Sequence, residues 1–383
     1  MMSVKILHVV PSFGMGGMEK VLCSVMNSLP DHIDQEILSL TEDRGAEKWI
    51  RRKHIRFVNF TKPQENFPFF RSLFQALRQS HPTVLMTYNW GATDAIWLGR
   101  LAGIPHIIHS EHGFNVDEAT STLWKRNVIR FVVYRLASRL VVVSTDLQKM
   151  MEDQLGLASA RVLFIPNGIN TEYFSGDRFE REQMRQMLGL STQDIVVGFV
   201  GRLDPVKNLS LLLKVFENSL EQEQNFKLLF IGDGPDRGLI EQACTRPMFR
   251  GRILCVGQQE NVVAYLRAMD VFILTSLREQ MPMSMLEAMS VGLPIVATAV
   301  GEIPAILQGQ EAGFVSEIDH ASKQLAEALL QLRDPQVRSQ MGQAGRSLVV
   351  QRFRQQAMIQ EYHETLRTLG VFHDPLICST ECA

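Results

Sequence analysis

Glu279-Gln-Met-Pro-Met-Ser-Met-Leu-Glu287-Ala-Met-Ser-Val-Gly292-Leu-Pro294 is the stretch that decides how this chain folds. Before it, the apolar run Val271 to Thr275 has the composition of a buried parallel strand; after Pro282 an apolar helix begins, and Gly292 and Pro294 stop it. One carboxylate therefore sits on the loop and the other inside the helix. A helix start carries unpaired N–H groups and partial positive charge, so this turn can hold a phosphate while Glu279 and Glu287 take hydroxyl groups on either side. That is the chemistry of a sugar joined to a ribose through a diphosphate. Two acids so spaced also occur as a capping acid and a solvated acid, and the neighbouring residues must decide.

Outward from this point the pattern repeats. Ile195 to Val200, Phe226 to Ile231, Ile253 to Val256, Val271 to Thr275 and Pro294 to Thr298 read as strands, each followed by a glycine turn or a helix start. Parallel sheets bind ligands beyond the carboxyl ends of their strands, where the unusual residues of this half lie: Gly201-Arg202, Gly232-Asp-Gly-Pro235, Gly257, Glu279 and Gly301-Glu302. The first half shows the same alternation, with short β-rich runs at Lys5 to Val10, Glu36 to Leu40, Arg56 to Phe60, Val84 to Thr87, His106 to Ser110, Leu140 to Ser144 and Val162 to Ile165. Both halves are thus α/β with parallel sheets, and turn chemistry from Ile165 to Phe174 separates them.

A chain of 383 residues fits two such domains, and 45% hydrophobic with 21% charged residues is the composition of a soluble globular protein. No apolar run is long enough to span a bilayer, and the amino terminus reads as a first strand, not a signal peptide. Five scattered cysteines without a CxxC pair point to a reducing, cytoplasmic compartment and away from zinc. A net charge of −2 offers nothing to nucleic acid, although residues 1–170 carry 19 Lys/Arg against 15 Asp/Glu. That excess is compatible with an anionic partner such as a membrane surface.

Three other groupings carry chemistry. Gly14-Met-Gly16-Gly17-Met-Glu19 follows the first strand and opens a helix, where glycines allow backbone to approach a phosphate; it is equally a tight turn of small residues. With Glu42 near the second strand as a ribose acid, it would also serve a dinucleotide site. His106, His109, Glu111 and His112 look like metal ligands, but His106 and His109, three apart on a strand, point to opposite faces. His112, just past the strand end, has the near-neutral pKa of a proton donor or acceptor. In Gly201-Arg202-Leu-Asp-Pro205-Val-Lys207-Asn208, an arginine and a lysine five apart on one loop can hold both phosphates of a leaving nucleoside diphosphate, or be solvated surface charges.

Together these elements resemble the retaining glycosyltransferases of family 4, over nearly the whole chain: the opening string resembles the family's E-x7-E motif, Gly201 to Lys207 its GR-x(4)-K loop, Gly16-Gly17-Met-Glu19 its GGxE turn and His112-Gly113 its His-Gly position. The resemblance implies the GT-B fold, with two Rossmann-like domains facing across a cleft. Residues 1–172 and a returning carboxyl-terminal helix within 356–383 would form the acceptor-side domain, and 173–355 the nucleotide-sugar domain. It implies retaining transfer of a sugar from a nucleotide-diphosphate sugar to an acceptor hydroxyl, with no metal and no further cofactor. The family roles carry to His112 and Glu279 on the transferred sugar and to Arg202 and Lys207 on the diphosphate. Gly16, Gly17, Gly257, Gln280, Met281, Ser284, Met285 and Leu286 would complete the donor site, with Glu287 on the ribose. Asn208 and Gln280 depart from the family, each standing where glycine is usual, and Gln280 is expected to reshape the donor pocket.

The likeness is greatest to bacterial exopolysaccharide and envelope-glycan enzymes, which makes a glycan or lipid-linked acceptor the expected partner. The stretch Trp124 to Arg139 has helical spacing, five basic and several large apolar residues, and reads either as an ordinary packed helix or as a face docking on anionic lipid at the inner surface of the membrane. A nucleotide-sugar epimerase, a NAD-dependent oxidoreductase and a non-catalytic sugar-nucleotide binder are the rival readings. The oxidoreductase leaves Arg202, Lys207 and Glu279 idle.

Overall fold

The computed structural model describes residues 4–113 and 124–371. It divides into two compact units, residues 1–168 with 355–383, and residues 169–354. The boundary thus falls at Gly168, four residues before the expected 172, because Ile169 already bonds into the second unit: its N–H donates to Phe353 O at 2.8 Å.

In the first unit the order is β1 (Lys5–Val10), α1 (Gly17–Ser28), β2 (Asp34–Ser39), β3 (Ile55–Phe57), α2 (Asn66–Ser80), β4 (Val84–Tyr88), α3 (Asp94–Leu101), β5 (His106–Glu111), α4 (Trp124–Val133), β6 (Arg139–Val142), α5 (Thr145–Lys149) and β7 (Val162–Phe164). All strand pairs are parallel, in the order β3-β2-β1-β4-β5-β6-β7.

The second unit comprises α6 (Arg178–Met187), β8 (Ile195–Val200), α7 (Leu209–Leu220), β9 (Phe226–Ile231), α8 (Arg237–Cys244), β10 (Ile253–Cys255), α9 (Val263–Ala268), β11 (Val271–Leu274), α10 (Met283–Val291), β12 (Ile295–Thr298), α11 (Ile303–Leu307), β13 (Gly313–Ser316), α12 (Ala321–Gln331) and α13 (Pro335–Arg352). Its parallel sheet runs β10-β9-β8-β11-β12-β13. Helix α14 (Gln355–Thr368) then returns to the first unit, where Gln355 Nε2 donates to Ser24 Oγ at 2.6 Å and His363 Nε2 lies 2.9 Å from Ser28 Oγ. The rest of the expected closing segment, 372–383, lies outside the described residues.

Each sheet is covered on both faces, so its central strands are apolar throughout. Val197, Phe199, Phe272, Ile273 and Ile295 have no solvent exposure, and each such side chain contributes about 1.5–3 kcal/mol on burial. Strand β13 escaped the sequence reading: it is a four-residue edge strand with only Ser316 buried, too short and too exposed for an apolar run. In both units the strand order reverses beside the first strand, between β1 and β4 and between β8 and β11. Such a reversal leaves a crevice above the carboxyl ends of those two strands.

Helix α10 is apolar on every side and serves as a core element, with Met285, Leu286, Ala288 and Met289 wholly buried. Gly292 ends it in the left-handed region at φ +96°, and α13 packs so closely there that a Cβ on Gly342 would lie 1.9 Å from Gly292 O. The obstructing atom is rigid backbone. Gly342→Ala is therefore expected to destabilise the protein by about 1–3 kcal/mol, read as a lower urea midpoint.

Candidate active site

In the second unit the loops after β8 and β11 meet above the reversal. The β8 loop is shaped by Asp204, which accepts N–H bonds from Val206 at 3.1 Å and Lys207 at 3.3 Å and so caps the turn that carries Lys207. Asn208, at φ +50° and ψ +53°, then turns the chain into α7. Asparagine tolerates this left-handed conformation, which explains how the chain manages without the glycine usual there. Thr275 Oγ1, at the end of β11, bonds Lys207 O and Asn208 O, both at 3.1 Å.

The Lys207 ammonium thereby reaches Glu279, with Nζ to Oε1 at 2.6 Å. Ser276 Oγ donates to the same oxygen at 2.7 Å, so both hydrogen bonds fall on Oε1. The two side chains of the ion pair are 21% and 10% exposed, so it is part-buried. Arg202 bonds Asp204 Oδ2 through Nε at 2.7 Å, and its side chain is 64% exposed, leaving the guanidinium edge accessible. The β11 loop is held from its other side: Glu302 N–H donates to Gln280 O at 2.9 Å, and Gly301, at φ +54°, comes so close that a Cβ would lie 2.0 Å from Glu279 O.

Pro282 caps α10, and Ser284 stands in its first turn, half-buried, at the positive end of the helix. Gln280 and Met281 are 7% and 5% exposed and Glu287 is 1% exposed, within α10's second turn. Met285 and Leu286 are wholly buried, and their N–H groups bond Pro282 O at 3.1 and 3.4 Å, so their side chains serve the core. Gly257 O accepts from Gly232 N–H at 2.9 Å, which brings the turns after β9 and β10 together. A Cβ on Gly232 would lie 1.9 Å from Gly201 O, so these turns also support the arginine loop.

In the first unit the turn after β1 starts α1, with Gly16 as its cap. Glu19 folds back over Gly16, where a Cβ would lie 2.4 Å from Glu19 Oε2. Burial, together with the nearby Asp43 carboxylate and against a backbone hydrogen bond, raises the Glu19 pKa to about 7. Glu42 is exposed. Asn89 ties the region together from a strained conformation of φ +54°: its Oδ1 accepts from His112 N–H at 2.7 Å, and its Nδ2 lies 3.3 Å from Met18 Sδ.

His112 is not the near-neutral group its type implies. Burial of its ring lowers the pKa to about 4, helped by His109 and opposed by Glu111 and the Asn167 amide. It is therefore a neutral imidazole at pH 7. Beneath it Tyr134 donates to Glu111 Oε2 at 2.6 Å and His109 pairs with Thr87 at 2.8 Å. Among the described residues no group of three His, Cys, Asp or Glu side chains could hold a metal ion.

The stretch from Trp124 differs from expectation. Arg130 is fully buried, 5.0 Å from the Trp90 ring centroid, and Arg135 and Arg139 bond backbone carbonyls. What faces outward is apolar: Trp124 is 70% exposed, Val128 53%, Phe131 47% and Val132 57%. No helix among the described residues is long and apolar enough to cross a membrane.

The sequence matches the family model described as Glycosyltransferase Family 4 over residues 15–173 and that described as Glycosyl transferases group 1 over residues 180–348. It is 26% identical over 372 residues to the UDP-Gal:alpha-D-GlcNAc-diphosphoundecaprenol alpha-1,3-galactosyltransferase of Escherichia coli, covering 91% of this chain and 93% of that one. It is 27% identical over 263 residues to the N-acetyl-alpha-D-glucosaminyl L-malate synthase of Bacillus anthracis, covering 67% and 66%. Among solved structures, HepE of Anabaena in complex with UDP and glucose is similar with a TM-score of 0.79 at 19% identity, covering 95% of this chain and 100% of that one. WaaG, a glycosyltransferase involved in lipopolysaccharide biosynthesis, gives 0.74 at 15% identity, covering 94% and 99%. Likeness at such identities fixes the fold, which is GT-B.

The shifted groups set a pH dependence. His8, lowered to about 4 by burial, and His112 stay neutral in the folded protein, whereas the unfolded chain protonates them near 6.5. Their contribution is complete above that value and is lost as pH falls towards 4. Glu19, raised to about 7, acts in the opposite sense: the stability it adds is present below its unfolded value of 4.5 and is lost as pH rises through 7. Two groups outweigh one, so the melting temperature should be lower at about pH 5 than at about pH 7. In Glu19→Gln the drop should be steeper.

Proposed function

Because the chain belongs to the family 4 glycosyltransferases, and so transfers sugar with retention, we propose that it moves a hexose-type sugar from a nucleoside-diphosphate sugar to a glycan or lipid-linked acceptor hydroxyl, in the synthesis of a bacterial exopolysaccharide or envelope glycan. The observation that carries this reading is the Lys207–Glu279 pair above the strand reversal, with Arg202 beside it and the start of α10 following on the same loop. As the glycosidic bond breaks, negative charge grows on the departing diphosphate. Lys207, Arg202 and the helix start at Ser284 lower that cost without a metal ion. The Glu279 carboxylate, held by Lys207 and Ser276 through one oxygen, presents the other to the donor's hydroxyls.

We assign Glu287 to the ribose, and Gly257, Met281 and the backbone at Met285 and Leu286 to the rest of the donor site. Gly16 and Gly17 are assigned to the donor site as well, and His112 to the transferred sugar, as a neutral hydrogen-bonding group. The donor and acceptor in the name of the E. coli relative, UDP-galactose and a diphosphoundecaprenol-linked sugar, support a UDP-sugar and a lipid-linked acceptor here. Such an acceptor calls for contact with the inner face of the membrane. The exposed apolar side of α4 supplies a wedge for it, with Lys125 as the exposed charge.

A panel of nucleotide sugars, with nucleoside diphosphate release as the readout, tests the activity: release from none of them, with NAD bound instead, would overturn the reading. Lys207→Ala should lower kcat/KM by about a hundredfold, the effect of one charge-stabilising group. Gln280→Gly is expected to change the ranking of donors while Glu287→Ala weakens nucleotide affinity itself; an unchanged ranking refutes the first. In vesicle co-sedimentation, Trp124→Ala combined with Val132→Ser should reduce binding about tenfold, and Lys125→Glu less, since the contact is mainly apolar.

A further inference from the structure

A cavity of about 330 Å³ lies in the second unit between the start of α6, the end of α10 and α13. Its walls include Met269 and Asp270, which precede β11, and Pro294, which precedes β12, so it opens at the amino ends of the strands. The candidate donor loops occupy the opposite, carboxyl ends. The volume falls at the lower end of the range for small-molecule sites.

Its lining is rich in arginine. Arg178, Arg181, Arg267 and Arg338 line it, against Asp177 and Asp270. Both aspartates are engaged: Asp270 takes Arg181 at 2.7 Å and Arg185 at 3.1 Å, and Asp177 accepts the Glu180 N–H at 2.9 Å. The arginines are not all engaged. Arg267 uses all three nitrogens on Ser175 O, Glu180 and Tyr173 O. Arg338 uses Nη1 alone, on the carbonyls of Leu332 and Arg333, and Arg178 uses Nε alone, on Glu182. That leaves Nε and Nη2 of Arg338 and both Nη groups of Arg178 as donors without a protein partner among the described residues at the cavity.

Arg338 is half-buried, and that burial, against the attraction of Asp270 and Asp334 and with smaller repulsion from Arg181 and Arg185, holds its pKa below the usual value. A half-buried guanidinium with unused N–H donors gains from an anion that accepts from them. Val291, Leu293 and Pro294 provide an apolar wall beside it.

We propose that this cavity is a second binding site, separate from the donor site, for a small phosphate monoester whose phosphoryl group pairs with Arg338 and Arg178 and whose organic part lies on the Val291–Pro294 wall. Nothing is transferred there; the interaction is ionic and apolar.

Calorimetric titration of the full-length chain with inorganic phosphate and with phenyl phosphate tests it. Saturable binding should survive Lys207→Ala, which removes the donor-loop ammonium, and phenyl phosphate should bind more tightly than phosphate. Losing one charge-assisted contact in Arg338→Gln or Arg178→Glu should weaken it about tenfold or more. Arg178, with a side chain 91% exposed, keeps the test available if Arg338→Gln fails to fold. Absence of saturable binding, loss of binding in Lys207→Ala alone, or equal affinity in both arginine variants and the wild type would overturn the proposal.

Discussion

An ammonium and a carboxylate 2.6 Å apart, at the point where the strand order of the second sheet reverses, form the contact on which the candidate donor site depends. Removing two charges partly from water is costly, and the attraction offsets that cost only when further hydrogen bonds hold the pair in place. Ser276 supplies one, and Asp204 and Thr275 fix the turn from which Lys207 extends. The Lys207 cation is therefore already positioned and already partly desolvated, ready for the diphosphate of the proposed donor. On the proposed assignment the diphosphate shares that cation with Glu279, which would couple recognition of the sugar's hydroxyls to recognition of the phosphates. Preorganised charge of this kind needs little rearrangement as the leaving group departs.

The first unit solves a different problem. Its β5 carries His109, Ser110 and Glu111 into a region with almost no solvent, and polar groups there are stable only with partners. Tyr134 and Thr87 provide them for Glu111 and His109, and the buried Arg130 adds positive charge near Tyr134. The end of β5 is thereby immobilised, and Asn89, in a backbone conformation that costs on the order of 1–3 kcal/mol, binds the His112 N–H. Strain kept at such a position is consistent with a demand for fixed geometry.

Much of this was readable in the residues. Alternating short apolar runs and amphipathic stretches placed both parallel sheets, since a strand covered on two faces must be apolar along its length. The five-residue spacing of Arg202 and Lys207, and the helix stop at Gly292, needed only local rules. Contacts distant in sequence were not legible: Ser276 to Glu279 lies within one loop, yet its meaning depends on Lys207, 72 residues from Glu279. Asp204 was missed although aspartate before proline is an ordinary cap signal. Arg130 belonged to a stretch legible only as a packed or lipid-docking basic helix; its burial follows from Trp90 and Tyr134, which the fold brings beside it. Likewise His112 was given the pKa of its type, and burial, a tertiary property, moved it.

The backbone around Gly301 has one more consequence. With no room for a Cβ against Glu279 O, and with Glu302 N–H bonded to Gln280 O, the loops after β11 and β12 form one body assembled from two sequence segments. A chimera that imports residues 279–287 from a relative with another donor preference, while keeping the native 301–302, would join halves not fitted to each other. On the proposed assignment, donor specificity in this chain is carried by a matched pair of loops, and exchanging it means grafting both.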